Sequence, residues 1–465
     1  MENEQEILLK IPLEALELQD NFRKNNFELY LVGGSVRDLL LGKNVADWDF
    51  TTDATPLEIQ EMYPDSFYDN TFGTVGIPVK DEAAETKFLF EVTTFRTEQE
   101  YSDNRHPTNV SWGKSIEEDL ERRDFTINAI ALRFAQGESL NPEIVDPYNG
   151  REDLKKKLIR AVGDPAKRFK EDALRLMRAI RLATQLEFDI EENTLAEIQK
   201  DAELLSNISK ERVRDEMLKL LGSEYPADGV MLLKNTNLLK EVLPELIEGI
   251  GVSQERPGRH HTTDVFTHNI NSLKYCASTD PIVRFATLIH DVAKPRVASN
   301  DQDGFVIFHN HEIVGSRMAY EICDRLRFSK KERGKIVMLV RWHMFTVDEN
   351  TTDAAIRRFI RRVGVENIRD MIALRIGDRL GSGTATAESW RLKLFQKRIE
   401  EQLAPAPFSI KDLAIDGRDI MGILKIPPSR KVGEILEKLF LEVDEDLEKN
   451  TSEYLTARVK NLYSE

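Results

Sequence analysis

The chain has 465 residues, 41% hydrophobic and 31% charged, and 65 basic against 81 acidic residues give a formal net charge of −16. This composition excludes a fibrous or largely disordered chain. It leaves room for several cores, about three domains at roughly 150 residues each. The acidic balance excludes the domain-wide basic signature of a simple nucleic-acid binder, but not a local basic groove on an acidic body.

No apolar run reaches transmembrane length. The N-terminal MENEQEILLKIPLEAL starts acidic and lacks a basic stretch ahead of an apolar core, so no secretory signal is expected and the cytoplasm is the expected location. Cys276 and Cys323 have no metal-like spacing and read as two buried free thiols. Residues 5–24 read as an amphipathic helix. Glu28–Val32 is a short apolar strand, Gly33 and Gly34 a turn, and Ser35–Leu41 the opening of a helix. Asp47–Thr52 and Lys87–Arg96 are further strands, rich in β-branched and aromatic residues. From about residue 117 the pattern is almost wholly helical, with helices expected at 165–185, 190–205, 209–222, 264–277, 282–294, 311–326 and 331–343. Leu403–Phe408 and Ile426–Ser429 read as linkers or turns. An α/β head before a long helical body argues for an α+β fold rather than a doubly wound sheet.

Two glycines between a strand and a helix let backbone N–H groups approach a phosphate, and Arg37 one turn later can grip a phosphate oxygen. Asp47 and Asp49 flank Trp48, so in a strand both carboxylates share one face. Such a pair repels itself unless a cation lies between its members, and hard oxygen ligands suit Mg²⁺. Glu91, alternating with Phe90 and Val92, is a candidate third carboxylate.

LVGGSVRDLLLG followed by ADWDFTTDATP resembles the first signature of the class II tRNA nucleotidyltransferase and bacterial poly(A) polymerase family. RRDFTINAIAL, DPYNGREDL and GDPAKRFKEDALRLMRAIR resemble the signatures that follow, across roughly the first 190 residues. The resemblance implies a polymerase-β-like head in which Asp47 and Asp49 hold two Mg²⁺ ions. Gly33, Gly34, Ser35 and Arg37 would contact phosphates, and Arg123 the nucleotide. It also implies that Asp172, Arg175, Arg178 and Arg181 line a nucleotide-reading helix. The chemistry fits: Asp only accepts and Arg only donates. Asp172 beside Arg175 therefore matches cytosine (N4 donor, N3 acceptor) and adenine (N6 donor, N1 acceptor), while guanine and uracil present the reverse order. Glu100–Lys114 corresponds to a flexible loop that members finishing with adenosine retain, which favours CCA or A addition over CC addition.

Seven of the eight histidines fall between His260 and His343. The order His268, His290–Asp291, Asp378 resembles the HD phosphohydrolase superfamily, with His311 and His343 able to complete a second position. This implies a second divalent ion (Mg²⁺, Mn²⁺ or Ni²⁺). Basic runs at Arg151–Arg181, Arg325–Arg341 and Arg357–Arg362 are candidate tracks for RNA phosphates. The expected layout is a head at 1–145, a helical neck at 146–245, an HD domain at 246–385 and a helical tail at 386–465. The expected activity is untemplated addition of CCA to tRNA from CTP and ATP, with no membrane and no obligate protein partner. The alternatives are an A-adding enzyme or poly(A) polymerase, an HD phosphohydrolase on an inactive head, or a non-catalytic RNA-binding protein.

Overall fold

The computed structural model describes residues 10–45, 47–69, 73–80, 86–101, 107–113, 115–134, 142–254, 263–345, 351–384, 386–403 and 409–464. The chain divides into two compact units, residues 1–250 with 321–330, and residues 251–320 with 331–465.

The first unit opens with helix α1 (Leu13–Lys24), which buries Ala15, Leu18 and Phe22. It begins after Pro12, later than the expected start; residues 5–9 lie outside the described residues. The strands β1 (Leu29–Val32), β2 (Trp48–Thr52), β3 (Phe67–Asp69), β4 (Thr74–Lys80), β5 (Thr86–Thr94), β8 (Ala131–Arg133) and β9 (Glu143–Val145) form one mixed sheet in the order β3-β4-β5-β2-β1-β8-β9. Two strands of this sheet thus come from the region expected to be almost wholly helical. Both are only three residues long, too short for periodicity to reveal, and the sheet recruits them by pairing β8 with β1. Most of the expected flexible loop Glu100–Lys114 is instead an antiparallel ribbon, in which β6 (Arg96–Tyr101) pairs with β7 (Pro107–Trp112). Residues 102–106 and 114, His106 among them, lie outside the described residues.

The helix expected at 165–185 is two helices, α2 (Pro165–Glu171) and α3 (Leu174–Leu186). The break is Asp172, whose backbone is extended (φ −145°, ψ 103°). Its carboxylate accepts the N–H of Leu174 at 3.1 Å. Local side-chain capping has displaced one helical turn. Helix α4 (Lys210–Leu221) packs on α3.

Among its described residues the second unit is helical apart from a two-stranded ribbon at Ser299–Asn300 and Val306–Ile307. Helix α5 (Val265–Lys274) lies against α6 (Ile368–Gly381). Two glycines one turn apart allow this: a methyl group on Gly377 would meet the Ser272 carbonyl oxygen at 2.5 Å, and one on Gly381 would collide with the Ser272 side chain. This close approach brings His268 and Asp378 together. The C-terminal residues have their own core, built around Ile420, Ile435, Leu439, Val443, Leu455 and Val459.

Two arginines of the basic run at 357–362 are structural. Asp444 is 1% exposed and accepts from Arg357 Nε at 2.9 Å and Arg361 Nη2 at 2.6 Å. Replacing Asp444 by Ala leaves Arg357 and the part-exposed Arg361 without their shared acceptor and is expected to cost about 1–3 kcal/mol. A denaturant titration with an unchanged midpoint would contradict this. Other members of the basic runs are similarly engaged: Arg160 with Asp153 at 3.1 Å, Arg325 with Glu245 at 2.7 Å, and Lys335 with Asp280 at 2.8 Å.

Candidate active site and metal centre

In the first unit β1 runs into Gly33 (φ 74°), a left-handed backbone that glycine adopts without strain. Space demands glycine too, because a Cβ here would lie 3.0 Å from Arg123 Nη1 and 3.9 Å from Asp49 Oδ2. Gly33, Arg123 and Asp49, distant in sequence, therefore meet at one point. The Ser35 hydroxyl donates to the Asp47 carbonyl at 2.9 Å and accepts the Asp49 N–H at 3.2 Å, fastening the turn to β2. Asp47 is exposed and immediately precedes β2 rather than lying within it. Asp49 lies on the parallel strand pair β2–β5 directly opposite Glu91. Trp48, Phe50, Phe90 and Val92 are buried beneath them.

The Asp49 carboxyl is pushed up to about 6, first by burial and then by the charges of Glu91 and Asp47, with Arg123 opposing. Three acids sharing one region, with Arg123 beside Asp49, form a donor set that fits a hard divalent ion. Among the described residues, however, their oxygens do not close into the tight triplets, all ligand atoms within 4.8 Å, that occur in the second unit.

The arginines are connected differently from the sequence expectation. Asp172 does not pair with Arg175; its carboxylate binds Arg212 of α4 through two hydrogen bonds, at 2.7 and 3.3 Å. Arg175 is buried and donates to Glu171 at 2.7 Å, to the Arg122 carbonyl at 2.9 Å and to the Arg168 carbonyl at 3.1 Å. Asp172 is off the helix, so the i,i+3 spacing that suggested the pair does not apply. Arg178 meets Asp124 at 2.7 Å and Arg181 meets Glu216 at 2.6 Å. Arg37 grips Asp38 with two bonds and donates to Asn128 Oδ1 at 2.9 Å, while Asn128 donates to Asp124 at 3.1 Å. A continuous polar chain therefore runs from the glycine turn to the neck helix: Arg37, Asn128, Asp124, Arg178. Burial opposes charge on Asp124, but Arg178 and the Asn128 amide outweigh it and hold the carboxyl below the usual range. Asp119, fully buried, is likewise kept ionised against burial by Arg122 and Arg123. Sequence reading missed Asp119, Asp124, Asn128, Arg212 and Glu216. The available signal was the acceptor-rich pattern of EEDLERRDFTIN and the charges of KERVRDE, which alone read as solvated faces.

All six HD-type candidates converge in the second unit. His268, His290, Asp291, His311, His343 and Asp378 are all buried. Asp291 is central. Its Oδ2 lies 3.3 Å from His268 Nε2 and 3.3 Å from His290 Nε2, and its Oδ1 lies 3.3 Å from His311 Nε2 and 3.6 Å from His343 Nε2. Asp378 Oδ1 lies 3.3 Å from His268. His290, His311 and His343 each direct Nδ1 at the carbonyl three residues earlier, at 2.7, 2.8 and 2.7 Å, so that Nε2 points inward. That is how a backbone fixes the tautomer of a ligand imidazole. His311 Nε2 and Asp291 Oδ1 are buried yet lack a hydrogen-bond partner, as expected of atoms facing a cation. His309 is exposed and outside the cluster, and His260 and His261 lie outside the described residues.

Burial alone would discharge His290, but Asp291 and Asp378 outweigh it and push its pKa up to about 10. His343 is held below its usual value by burial and by the neighbouring His290 charge. Lys294, also buried, donates to Asp291 at 2.5 Å and to Gln254 at 2.5 Å. Cys276 and Cys323 are buried and form no disulfide.

The fold and the two sites define a nucleotidyltransferase-type head with an HD-type body. Residues 29–160 match the poly(A) polymerase head domain, residues 187–249 the probable RNA- and SrmB-binding site of polymerase A, and residues 266–380 the HD domain. The A-adding tRNA nucleotidyltransferase of Deinococcus radiodurans is 33% identical over 422 residues, covering 88% of this chain and 90% of that one. The CCA-adding enzyme of Lactobacillus helveticus is 44% identical over 231 residues, but the match spans only 50% of this chain and 55% of that enzyme. Among solved structures, the Bacillus stearothermophilus CCA-adding enzyme in complex with CTP is similar over 97% of both chains, with a TM-score of 0.67 at 25% identity. The chain belongs to the tRNA nucleotidyltransferase and poly(A) polymerase family. Among the described residues no helix is long and apolar enough to cross a membrane.

Proposed function

We propose that the chain is a tRNA nucleotidyltransferase that completes the 3′-terminal CCA from CTP and ATP, releasing pyrophosphate, in the cytoplasm. The observation that carries this reading is the meeting of Gly33, Arg123 and Asp49 beside Glu91, at the start of a polar chain leading to α3. Asp47 and Asp49 would hold Mg²⁺, with Glu91 beside them. Bound there, the ion would acidify the RNA 3′-hydroxyl and offset triphosphate charge. The Gly33–Gly34 turn gives the triphosphate room close to the backbone. Arg37 and Arg123 supply guanidiniums, Arg37 by exchanging Asp38 for phosphate. Asp172 is the acceptor of the base-reading edge. Its donor is Arg175 once freed from Glu171, or Arg212, which already lies beside it.

Addition of A alone to a CC end is the second reading, favoured because the relative matched over nine-tenths of its length is named A-adding. The test is purified protein with tRNA lacking its 3′ end and labelled CTP and ATP, given singly and together. Two C residues followed by one A are expected. A product only on tRNA already ending in CC selects the second reading, and a long A tail rejects both. In the same assay Asp172→Ala is expected to raise UTP and GTP misincorporation about tenfold or more, since one unpaired buried group costs about 1–3 kcal/mol. The histidine cluster is read as an accessory phosphohydrolase centre that binds a divalent ion.

A further inference from the structure

We infer that an arginine-lined cavity, joined to the histidine cluster through the Arg375–Asp378 pair, is an anion subsite that holds a phosphate of that centre's substrate. The inference rests on reading the cluster as a phosphohydrolase centre. The cavity, of about 110 Å³, is lined by Phe345, Arg375, Arg379, Ser389, Arg391 and Leu392, among others. Two of these are joined directly to the ligand set. Arg375 donates to Asp378 Oδ2, while the other oxygen of Asp378 faces His268 at 3.3 Å. Phe345 lies two residues beyond His343, and its N–H donates to the His343 carbonyl at 3.1 Å.

The charges at this cavity are not balanced locally. Arg375 is paired, and its guanidinium also lies 5.7 Å from the Phe345 ring centre. Arg379 adjoins Asp378 in sequence, and its buried Nε has no hydrogen-bond partner. Among the described residues neither Arg379 nor Arg391 has a carboxylate within ion-pair distance; Arg391, at the exposed rim, rests 5.4 Å from the centre of the Trp390 ring. Elsewhere in this unit sheltered arginines do have such partners, as Arg357 and Arg361 have Asp444. Arg379 is half-buried with its buried Nε unpaired, and its planar fork suits phosphate oxygens. Ser389 accepts the N–H of Leu392 at 3.2 Å at the start of helix α7 (Trp390–Leu403), whose positive end adds to the same field.

Size narrows the ligand class. Pockets for whole drug-sized ligands run to roughly 300–1,000 Å³. This cavity takes a single group, so one phosphate enters it and the rest of the substrate stays outside.

The experiment compares the full chain with the Arg379→Gln/Arg391→Gln double variant and with Arg391→Gln alone, a rim substitution that leaves the buried wall intact. Calorimetry measures inorganic phosphate and 2′,3′-cyclic AMP binding in the presence of a chelator, and separate titrations measure Mn²⁺ and tRNA. Phosphate affinity is expected to fall about tenfold or more in the double variant, with a smaller fall in the single one. Mn²⁺ affinity, tRNA affinity and the thermal midpoint should be unchanged. KM for 2′,3′-cyclic AMP should rise while kcat holds. Unchanged phosphate affinity in the double variant, with Mn²⁺ still bound, overturns this inference alone. A loss of tRNA affinity without a loss of phosphate affinity overturns it too, by placing these arginines on an RNA surface. A parent chain that binds no Mn²⁺ overturns the phosphohydrolase reading, and the inference with it.

Discussion

Asp49→Asn is expected to lower nucleotide incorporation at least about a thousandfold while leaving tRNA affinity within a few-fold of the parent. Lewis-acid stabilisation is worth several kcal/mol, and each 1.36 kcal/mol is tenfold in rate. Asparagine keeps the shape of β2 and the N–H that Ser35 accepts, so the loss would report on charge rather than folding. The same substitution is expected to stabilise the metal-free protein. The Asp49 carboxyl is raised from 3.8 to about 6. The folded state therefore binds the extra proton, and between about pH 4 and 6 stability falls as pH rises. At pH 7.5 the full penalty is present, on the order of 3 kcal/mol, and the amide removes it. Thermal melts without metal should show a higher midpoint for the variant, and added Mg²⁺ should stabilise the parent but not the variant. A variant that keeps a tenth of the parental rate would remove Asp49 from the metal site.

Asp291→Ala should abolish divalent-metal binding and destabilise the second unit by about 3–5 kcal/mol. Asp291 is 2% exposed and faces four imidazoles and Lys294. Its removal leaves the buried Lys294 ammonium, and a His290 held protonated up to about 10, without their main counter-charge. Asp291→Asn keeps the volume and should lose metal with a smaller stability cost, which separates ligation from folding. The proton on His290 has its own consequence. In the metal-free protein it contributes stability that is full below about pH 6.5 and is lost as pH rises through about 10. A ligand imidazole must be neutral, so metal binding expels that proton. Affinity for Mn²⁺ is then expected to rise about tenfold per pH unit between pH 7 and 9. A flat profile over that range would show that His290 is not a ligand. Elemental analysis of the purified parent and variant supplies the stoichiometry.

Much of the head was legible because its chemistry is local. A strand, a turn whose first glycine must take a positive φ, and carboxylates either side of Trp48 all lie within Leu29–Thr52, and short-range geometry carries that arrangement into three dimensions. The histidine cluster was legible by enrichment, since six ligand residues in one helical segment need only the helices to pack. The close approach of α5 and α6 was not read, although Gly377 and Gly381 carry its signal. The small strands β8 and β9 were hidden because three residues show no period and form only against a neighbour already in place.

Partner choice is where the two levels part. The sequence by itself determined which residues carry charge, which can only accept and which can only donate, and that the glycine turn precedes the carboxylates. It also determined the HD-type order. Only the tertiary structure decided that Asp172 binds Arg212, 40 residues away, instead of Arg175 three residues on. It likewise joined Asp124 to Arg178 across 54 residues and Arg357 to Asp444 across 87. The physical reason is that a guanidinium is long and its bonds are directional. Its partner is set by which backbone packs within a few ångströms once the apolar faces are buried, and by local breaks such as the extended residue Asp172, which turn a regular spacing into a different neighbourhood.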